Sequence, residues 1–413
     1  MAQYKRQLFS TAFALSIVLS ASSTRGQYAQ TNIVSDIRGM APNFDPNLNN
    51  PWGISFTPGS PFWVSDEAST RNGSQVTTLY GVNGTTGAFT PNALIVSIPN
   101  QNNAAPDPIG QSNGPTGQVT PGAAGITTNA TMDFQVANAN PNGTPATSQA
   151  NFIFANLDGS ISAWSGRVSG TQAAIEASVV GAAFSGLAIG NSLSTGAPQI
   201  YAADQNSPSI DVFNSKWQMT GSFTDHNLPA SYTAFNIQNI GGNLYVTFAN
   251  QSNALGGIVD EFNTDGTMIQ RLVTDTAGAH LDQPWGLALA PTGFGPFGGD
   301  LLVGNNNGDG RINAYSPSNG TWLGSLMLQS GHPFSEADLW ALTFGSGGGA
   351  GLANTLYFTA GLSSQTDGLI GSIASVPEPS SILLGLLSVA ALGLWSFFGR
   401  RAHTLCHRLA RSE

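Results

Sequence analysis

Short apolar strands recur along this chain with a period near fifty residues, and that period admits few folds. Each unit opens with an apolar-Gly-apolar strand. A second strand follows and usually ends in Asp or Asn, and a polar or glycine-rich turn leads to a third strand of alternating aliphatics. The second strands end at Asp66, Asn156, Asp204, Asn250, Asn305 and Ala360. After a first gap of 90 residues, these markers are 46–55 residues apart. Three to four strands per unit at that period is the pattern of a β-propeller. Six units predict an all-β chain of six blades, with a seventh blade hidden in Pro99–Ala150 as the alternative.

The opening strands are Trp52-Gly53-Ile54, Gly186-Leu187-Ala188, Phe235-Asn236-Ile237, Pro284-Trp285-Gly286-Leu287 and Trp340-Ala341-Leu342. The second unit shows no such strand; its early strands are expected within Pro99–Ala150, a low-complexity stretch rich in Asn, Pro, Gly, Thr and Ala. Fourth strands are fainter, with Ile95–Ile98 and Ile269–Leu272 as candidates. The sixth unit lacks one, and Gln30–Val34 is predicted to supply it. A ring closed by strands from both termini leaves no open blade edge.

Composition agrees. Gly, Asn, Ser and Thr abound while Lys and Glu are scarce, which suits short strands and tight turns and suits helices badly. Between Gln27 and Val376 there are six basic residues against 21 acidic ones. Nucleic acids and anionic membranes need basic patches, so no nucleic-acid partner is expected. The single cysteine, Cys406, lies beyond this region, so no disulfide can form within it.

Both ends carry targeting patterns. Lys5 and Arg6 precede an apolar stretch from Leu8 to Leu19, and small residues follow at Ser20-Ala21-Ser22. This reads as a secretory signal peptide over residues 1–26, recognised by the secretion machinery and cut by signal peptidase. At the other end Val376-Pro377-Glu378-Pro379-Ser380-Ser381 precedes an uncharged apolar run, Ile382–Phe398, and then Arg400-Arg401. As a helix the run would span ~26 Å, enough for one C-terminal transmembrane helix over 382–398. The arginines hold its far end on the cytoplasmic side. The expected division is therefore a signal peptide (1–26), a propeller (27–375, with the insertion at 99–150) and a tail (376–413).

That tail resembles the PEP-CTERM sorting signal of exosortase systems. The sorting motif would be Val376, Pro377, Glu378, Pro379 and Ser380, with Arg400 and Arg401 as the membrane stop. The resemblance implies a transient inner-membrane anchor, an exosortase-type sorting enzyme as partner, and release to the outer surface or extracellular matrix. A second resemblance covers most of the exported chain. Asn50-Pro51-Trp52-Gly53-Ile54, Pro61-Phe62-Trp63-Val64-Ser65-Asp66, Phe235-Asn236-Ile237-Gln238, Pro284-Trp285-Gly286-Leu287-Ala288 and Leu356-Tyr357-Phe358-Thr359-Ala360-Gly361 are similar to motifs of an uncharacterised bacterial family of secreted, propeller-like proteins. It implies the fold and no activity. The chain departs from it at Leu157, where an acidic residue is expected.

The markers Asp66, Asn156, Asp204, Asn250 and Asn305 hold equivalent repeat positions, so a propeller would set them in a ring at one channel mouth. Five oxygen-bearing side chains there could bind calcium. Turn and strand-end chemistry explains the same residues without a metal. Asn305-Asn306-Asn307-Gly308-Asp309-Gly310 lacks the first aspartate and the distal glutamate of a calcium loop and reads as a turn. His226, His280 and His332 lack metal-ligand spacing and are expected in exposed polar loops. Asp66-Glu67 and Asp260-Glu261 are adjacent in strands, so each pair points to opposite faces and forms no convergent acid–base couple. Trp52, Trp285 and Trp340 recur at unit starts and are expected to pack the core.

Two functional readings result. The leading one is a non-catalytic binding or structural propeller of the exopolysaccharide layer, with extracellular polysaccharide as partner and no cofactor. The competing one is a calcium-dependent hydrolase or lactonase that uses the marker ring.

Overall fold

The computed structural model describes residues 27–67, 75–99, 101, 113–139, 145–252, 255–308 and 310–376. Among them are six sheets of four or five strands, antiparallel except for one edge pair, and one separate hairpin. The inner strands of the sheets are Pro51–Ser55, Pro115–Val119, Phe184–Asn191, Tyr232–Ile240, Pro284–Leu289 and Leu339–Phe344. Each touches the next, and the sixth touches the first, so the sheets are the blades of a closed six-bladed β-propeller. The only helical turns among the described residues are Gly295–Phe297 and Leu362–Gln365, and no helix there is long and apolar enough to cross a membrane. The expected signal peptide, the Ile382–Phe398 helix and the sorting residues Pro377, Glu378, Pro379, Ser380, Arg400 and Arg401 lie outside the described residues.

The ring closes as the sequence predicts. Tyr28–Ser35 pairs antiparallel with Leu369–Ser375, running from Tyr28 opposite Ser375 to Ser35 opposite Leu369. The sixth blade thus joins the first strand of the described chain to its last. A short strand, Asn43–Phe44, then pairs parallel with the end of Tyr28–Ser35 and covers the outer edge. Such cover blunts an edge that would otherwise template foreign pairing.

The glycine in the opening strands has a steric cause. A Cβ at Gly186 would stand 2.7 Å from the Asn236 Cα of the next blade, and one at Gly286 would stand 2.6 Å from the Trp340 carbonyl oxygen. Inner strands converge on the channel, and only a missing side chain lets their backbones approach this closely. In the fourth blade Asn236 takes the glycine's place, and its Nδ2 donates to the Trp285 carbonyl across the gap at 2.6 Å.

The apolar core lies between blades. Ile153, Ile161, Phe184, Leu187, Ile200 and Phe213 fill the space between the second and third, and Leu302, Ile312, Leu339, Leu342, Leu356 and Phe358 that between the fifth and sixth. The stretch Pro99–Ala150 contributes the inner strand Pro115–Val119 of the second blade and a hairpin, Gln135–Ala139 with Pro145–Gln149. Buried Phe134 anchors the hairpin against Trp217, whose Nε1 donates to the Gln135 carbonyl at 2.9 Å. No seventh blade forms there among the described residues. The fainter fourth strands are present as Phe89–Ser97 and Met268–Asp275.

Deleting residues 27–37 should destabilise the whole propeller. Tyr28 is 0% and Val34 1% exposed, and losing two such side chains costs about 4 kcal/mol before the lost ladder is counted. Thermal melting checks this; a truncated chain that melts like the full one would show that closure contributes nothing.

Candidate functional site

The marker positions repeat at the level of the backbone. Asp66 pairs with Pro51, Asn156 with Pro115, Asp204 with Phe184, Asn250 with Tyr232, Asn305 with Pro284 and Ala360 with Leu339. Each marker therefore faces the first residue of its inner strand, at one end of the channel. The residue after each marker donates its N–H to the carbonyl preceding that inner strand: Glu67 to Asn50, Leu157 to Gly114, Gln205 to Ala183, Gln251 to Ser231, Asn306 to Gln283 and Gly361 to Asp338.

The marker side chains bond within their own blades or the loops leading into them. Asp66 Oδ2 accepts from Thr78 Oγ1 at 2.7 Å. Asn156 Nδ2 donates to the hydroxyls of Ser160 and Ser162, both at 3.0 Å. Asp204 Oδ1 accepts the N–H groups of Ala183 and Asn206 at 2.8 and 3.0 Å. Asn250 Oδ1 accepts the Ser252 N–H at 3.0 Å. Asn305 Nδ2 donates to the His280 carbonyl at 2.9 Å. Among the described residues, no three His, Cys, Asp or Glu side chains gather in an arrangement able to hold a metal.

Two markers have notable electrostatics. Asp66 is fully buried and its Oδ1 has no hydrogen-bond partner. Burial pushes its carboxyl well above the usual range; the Thr78 bond opposes this, and the charges of Asp45 and Asp36 add to it. Asp204 acts on its neighbour in the third strand of the blade. Burial, with the Asp204 charge behind it, raises Asp211 from 3.8 to about 6.

The middle of the channel is filled. Trp52 stacks on Trp340 with ring centroids 3.4 Å apart, and Trp285 meets both edge-on at 6.2 and 5.8 Å. Phe235 and Leu157 complete this plug, so the departure at Leu157 places an apolar side chain where packing needs one. At the same position in the second and third blades stand the small residues Thr116 and Ser185. Their hydroxyls donate to the carbonyls of Phe184 and Phe235 at 2.6 and 2.8 Å. The expectation that the three tryptophans pack the core is met.

Beyond the plug, at the end opposite the markers, a cavity of 370 Å³ opens among the C-terminal halves of the inner strands. Its polar walls are Gln118, Asn236, Gln238, Asn239 and the hydroxyls of Ser55, Thr120 and Thr343; Ile54, Phe56, Leu187, Trp285 and Leu287 are among its apolar ones. Among the described residues, no ionisable side chain lines it. Gln118 is 6% exposed. Its Nε2 is fixed by the carbonyls of Gly53 and Trp63, which leaves Oε1 as a buried acceptor without a partner. The sequence reading missed this cavity because Gln118 lies in the stretch treated as an insertion. A signal existed: Pro115-Thr116-Gly117-Gln118 repeats the Pro-x-Gly spacing of Pro51-Trp52-Gly53 and Pro284-Trp285-Gly286.

The histidines divide. His226 and His332 are exposed as expected. His280 is half-buried, contrary to expectation, because its ring lies flat on Trp322 with centroids 3.9 Å apart.

Over 367 residues the chain is 31% identical to the uncharacterized protein R648 of Acanthamoeba polyphaga mimivirus, covering 83% of this chain and 78% of that protein. The chain belongs to the family of R648. Residues 375–402 match the PEP-CTERM protein-sorting motif, which implies processing by an exosortase-type enzyme. Among solved structures, a protein of unknown function from Bacteroides thetaiotaomicron VPI-5482 aligns at 11% identity and TM-score 0.47, over 84% of this chain and 76% of its own. The periplasmic gluconolactonase PpgL of Pseudomonas aeruginosa aligns at 15% identity and TM-score 0.42, over 69% of this R648-family chain and 72% of its own. Neither likeness is strong enough to carry an argument about function.

The Asp204–Asp211 pair gives a pH test. The folded state holds the Asp211 proton up to about 6, whereas the unfolded chain releases it near 3.8. The folded state therefore binds more protons in that window, and stability falls as pH rises through it. Asp211→Asn, which cannot ionise, should exceed the parent by on the order of 2 kcal/mol at neutral pH. The gap should close at acid pH. Melting curves across pH check this, and a gap independent of pH would contradict the assignment.

Proposed function

We propose that the chain is an exported, exosortase-sorted surface propeller that binds a neutral, hydroxyl-bearing ligand of the exopolysaccharide layer at its uncharged channel mouth and does no chemistry on it. The observation that carries this is the lining of the 370 Å³ cavity, which among the described residues offers amides, hydroxyls and apolar walls but no titratable group. General acid–base catalysis needs a titratable side chain within hydrogen-bond reach of the reacting atoms. Amides instead pair with sugar hydroxyls as donor or acceptor, and the buried Gln118 Oε1 supplies an acceptor already oriented. The volume lies within the ~300–1,000 Å³ usual for small-ligand sites. In this reading the secretion machinery and signal peptidase deliver the chain, and the tail holds it briefly at the inner membrane until the sorting enzyme cuts. A glycan array with the exported chain should show binding to neutral glycans, weakened about tenfold by Gln238→Ala. An array without neutral binders would overturn the reading.

A calcium-dependent hydrolase is the second reading, favoured by one observation. Asp66 is buried near Asp45 and Asp36 with one carboxylate oxygen lacking a partner; Asp204, Asn250 and Asn305 would be the other candidate ligands from the ring. Calcium at about a hundredfold excess over its dissociation constant would add about 2.7 kcal/mol of stability, and Asp66→Asn should abolish the gain. Unchanged melting in saturating calcium would remove this reading.

A further inference from the structure

We propose that the loops of the fifth blade form a second binding site, for a single hydroxyl-rich saccharide ring, at the marker end of the propeller. A separate cavity of 320 Å³ lies there, walled by His280, Asp282, Asn305, Arg311, Asn313 and Ser325 among others. Unlike the channel mouth it is lined by ionisable side chains, and the loop carrying His280 is held in place before any ligand arrives.

The loop that carries His280 is fixed from both sides. The Asp275 carboxylate accepts the N–H groups of Ala279, His280 and Leu281 at 3.0, 2.6 and 2.8 Å. The His280 carbonyl accepts Nδ2 of Asn305 at 2.9 Å and of Asn313 at 2.7 Å. Asn313 Oδ1 in turn accepts from Trp322 Nε1 at 3.2 Å and Ser325 Oγ at 2.7 Å. Trp322 is thereby positioned flat against the imidazole, 5° from parallel. One cavity wall is thus a rigid aromatic surface backed by an indole.

The second observation is Asn305 itself. It is 3% exposed, lines the cavity and has an Oδ1 with no hydrogen-bond partner. Because Nδ2 must donate to the His280 carbonyl, the amide cannot be flipped, and Oδ1 is committed as an acceptor. A buried acceptor left unpaired costs about 1–3 kcal/mol, which a ligand hydroxyl would recover. Asp282 and Arg311 line the same space and are themselves engaged by other groups of the protein, Asp282 by Asn307 Nδ2 among them. An unpaired acceptor beside a flat ring matches a sugar, whose hydroxyl can donate to the acceptor while its C–H face lies on the ring. This site does not depend on what the channel mouth binds.

Saturation-transfer NMR on the exported chain, with methyl glucoside, methyl galactoside and methyl mannoside as probes, tests the proposal. At least one probe should give a saturable signal that His280→Ala abolishes and His280→Phe, which keeps a flat ring on Trp322, retains. Asn305→Ala should weaken it about tenfold in a Gln238→Ala background, which lowers the channel mouth's own contribution. Absence of signal from all three probes would overturn the proposal, as would a signal indifferent to His280→Ala. A signal lost only in Gln238→Ala would place the sugar at the channel mouth, overturning this site while supporting that one. Thermal melts establish that each variant is folded; if His280→Ala is not, Asn305→Ala and His280→Phe decide.

Discussion

A propeller blade buries its faces against its two neighbours, so a ring of blades holds only when the last meets the first. Here that junction is a sheet built from both ends of the described chain, with Tyr28–Ser35 laid along Leu369–Ser375. The apolar clusters lie between blades. Opening the junction would therefore expose the clusters flanking the sixth blade and leave a strand edge unpaired. A polar network crosses the same seam: Trp340 Nε1 donates to Asn50 Oδ1 at 3.1 Å, and Asn50 Nδ2 donates to Glu67 at 2.9 Å. With no cysteine in the exported region, closure rests on pairing and packing alone.

Closure also sets where chemistry can occur. Converging inner strands leave room for side chains only at certain levels of the channel. At the glycine level the backbones nearly touch; at the level before it, three tryptophans and Phe235 meet two small hydroxyl residues and fill the lumen. The plug separates two unlike mouths. The marker mouth gathers carboxylates and amides engaged in turns and blade contacts, whereas the other keeps an open, uncharged cavity. The same chain carries the PEP-CTERM sorting motif at residues 375–402.

Much of this was legible in the sequence, for identifiable reasons. The second and third strands of each unit are buried on both faces and read as apolar runs such as Phe62–Asp66 and Phe152–Asn156. Their periodic endings set five polar markers in a ring at one mouth. The inner strand of the second blade is hidden because Pro115–Val119 is polar in sequence yet wholly buried, with the Thr116 hydroxyl and the Gln118 Nε2 finding partners on other strands. The marker side chains were assigned to a ring but not to bonds, since Thr78, Ser162 and the His280 carbonyl become their partners only after folding. His280 reads as exposed in the sequence because its cover, Trp322, comes from a strand 42 residues further along the chain. The fifth-blade pocket is hidden for the same reason, being assembled from three loops and three strands.

Hydrogen exchange of the exported chain, resolved by segment, tests closure most directly. The account predicts that Tyr28–Ser35 and Leu369–Ser375 are protected together and to the same degree as the inner strands of the other blades, since all share one cooperative unit. Rapid exchange of Tyr28–Ser35 while the other five blades remain protected would contradict it.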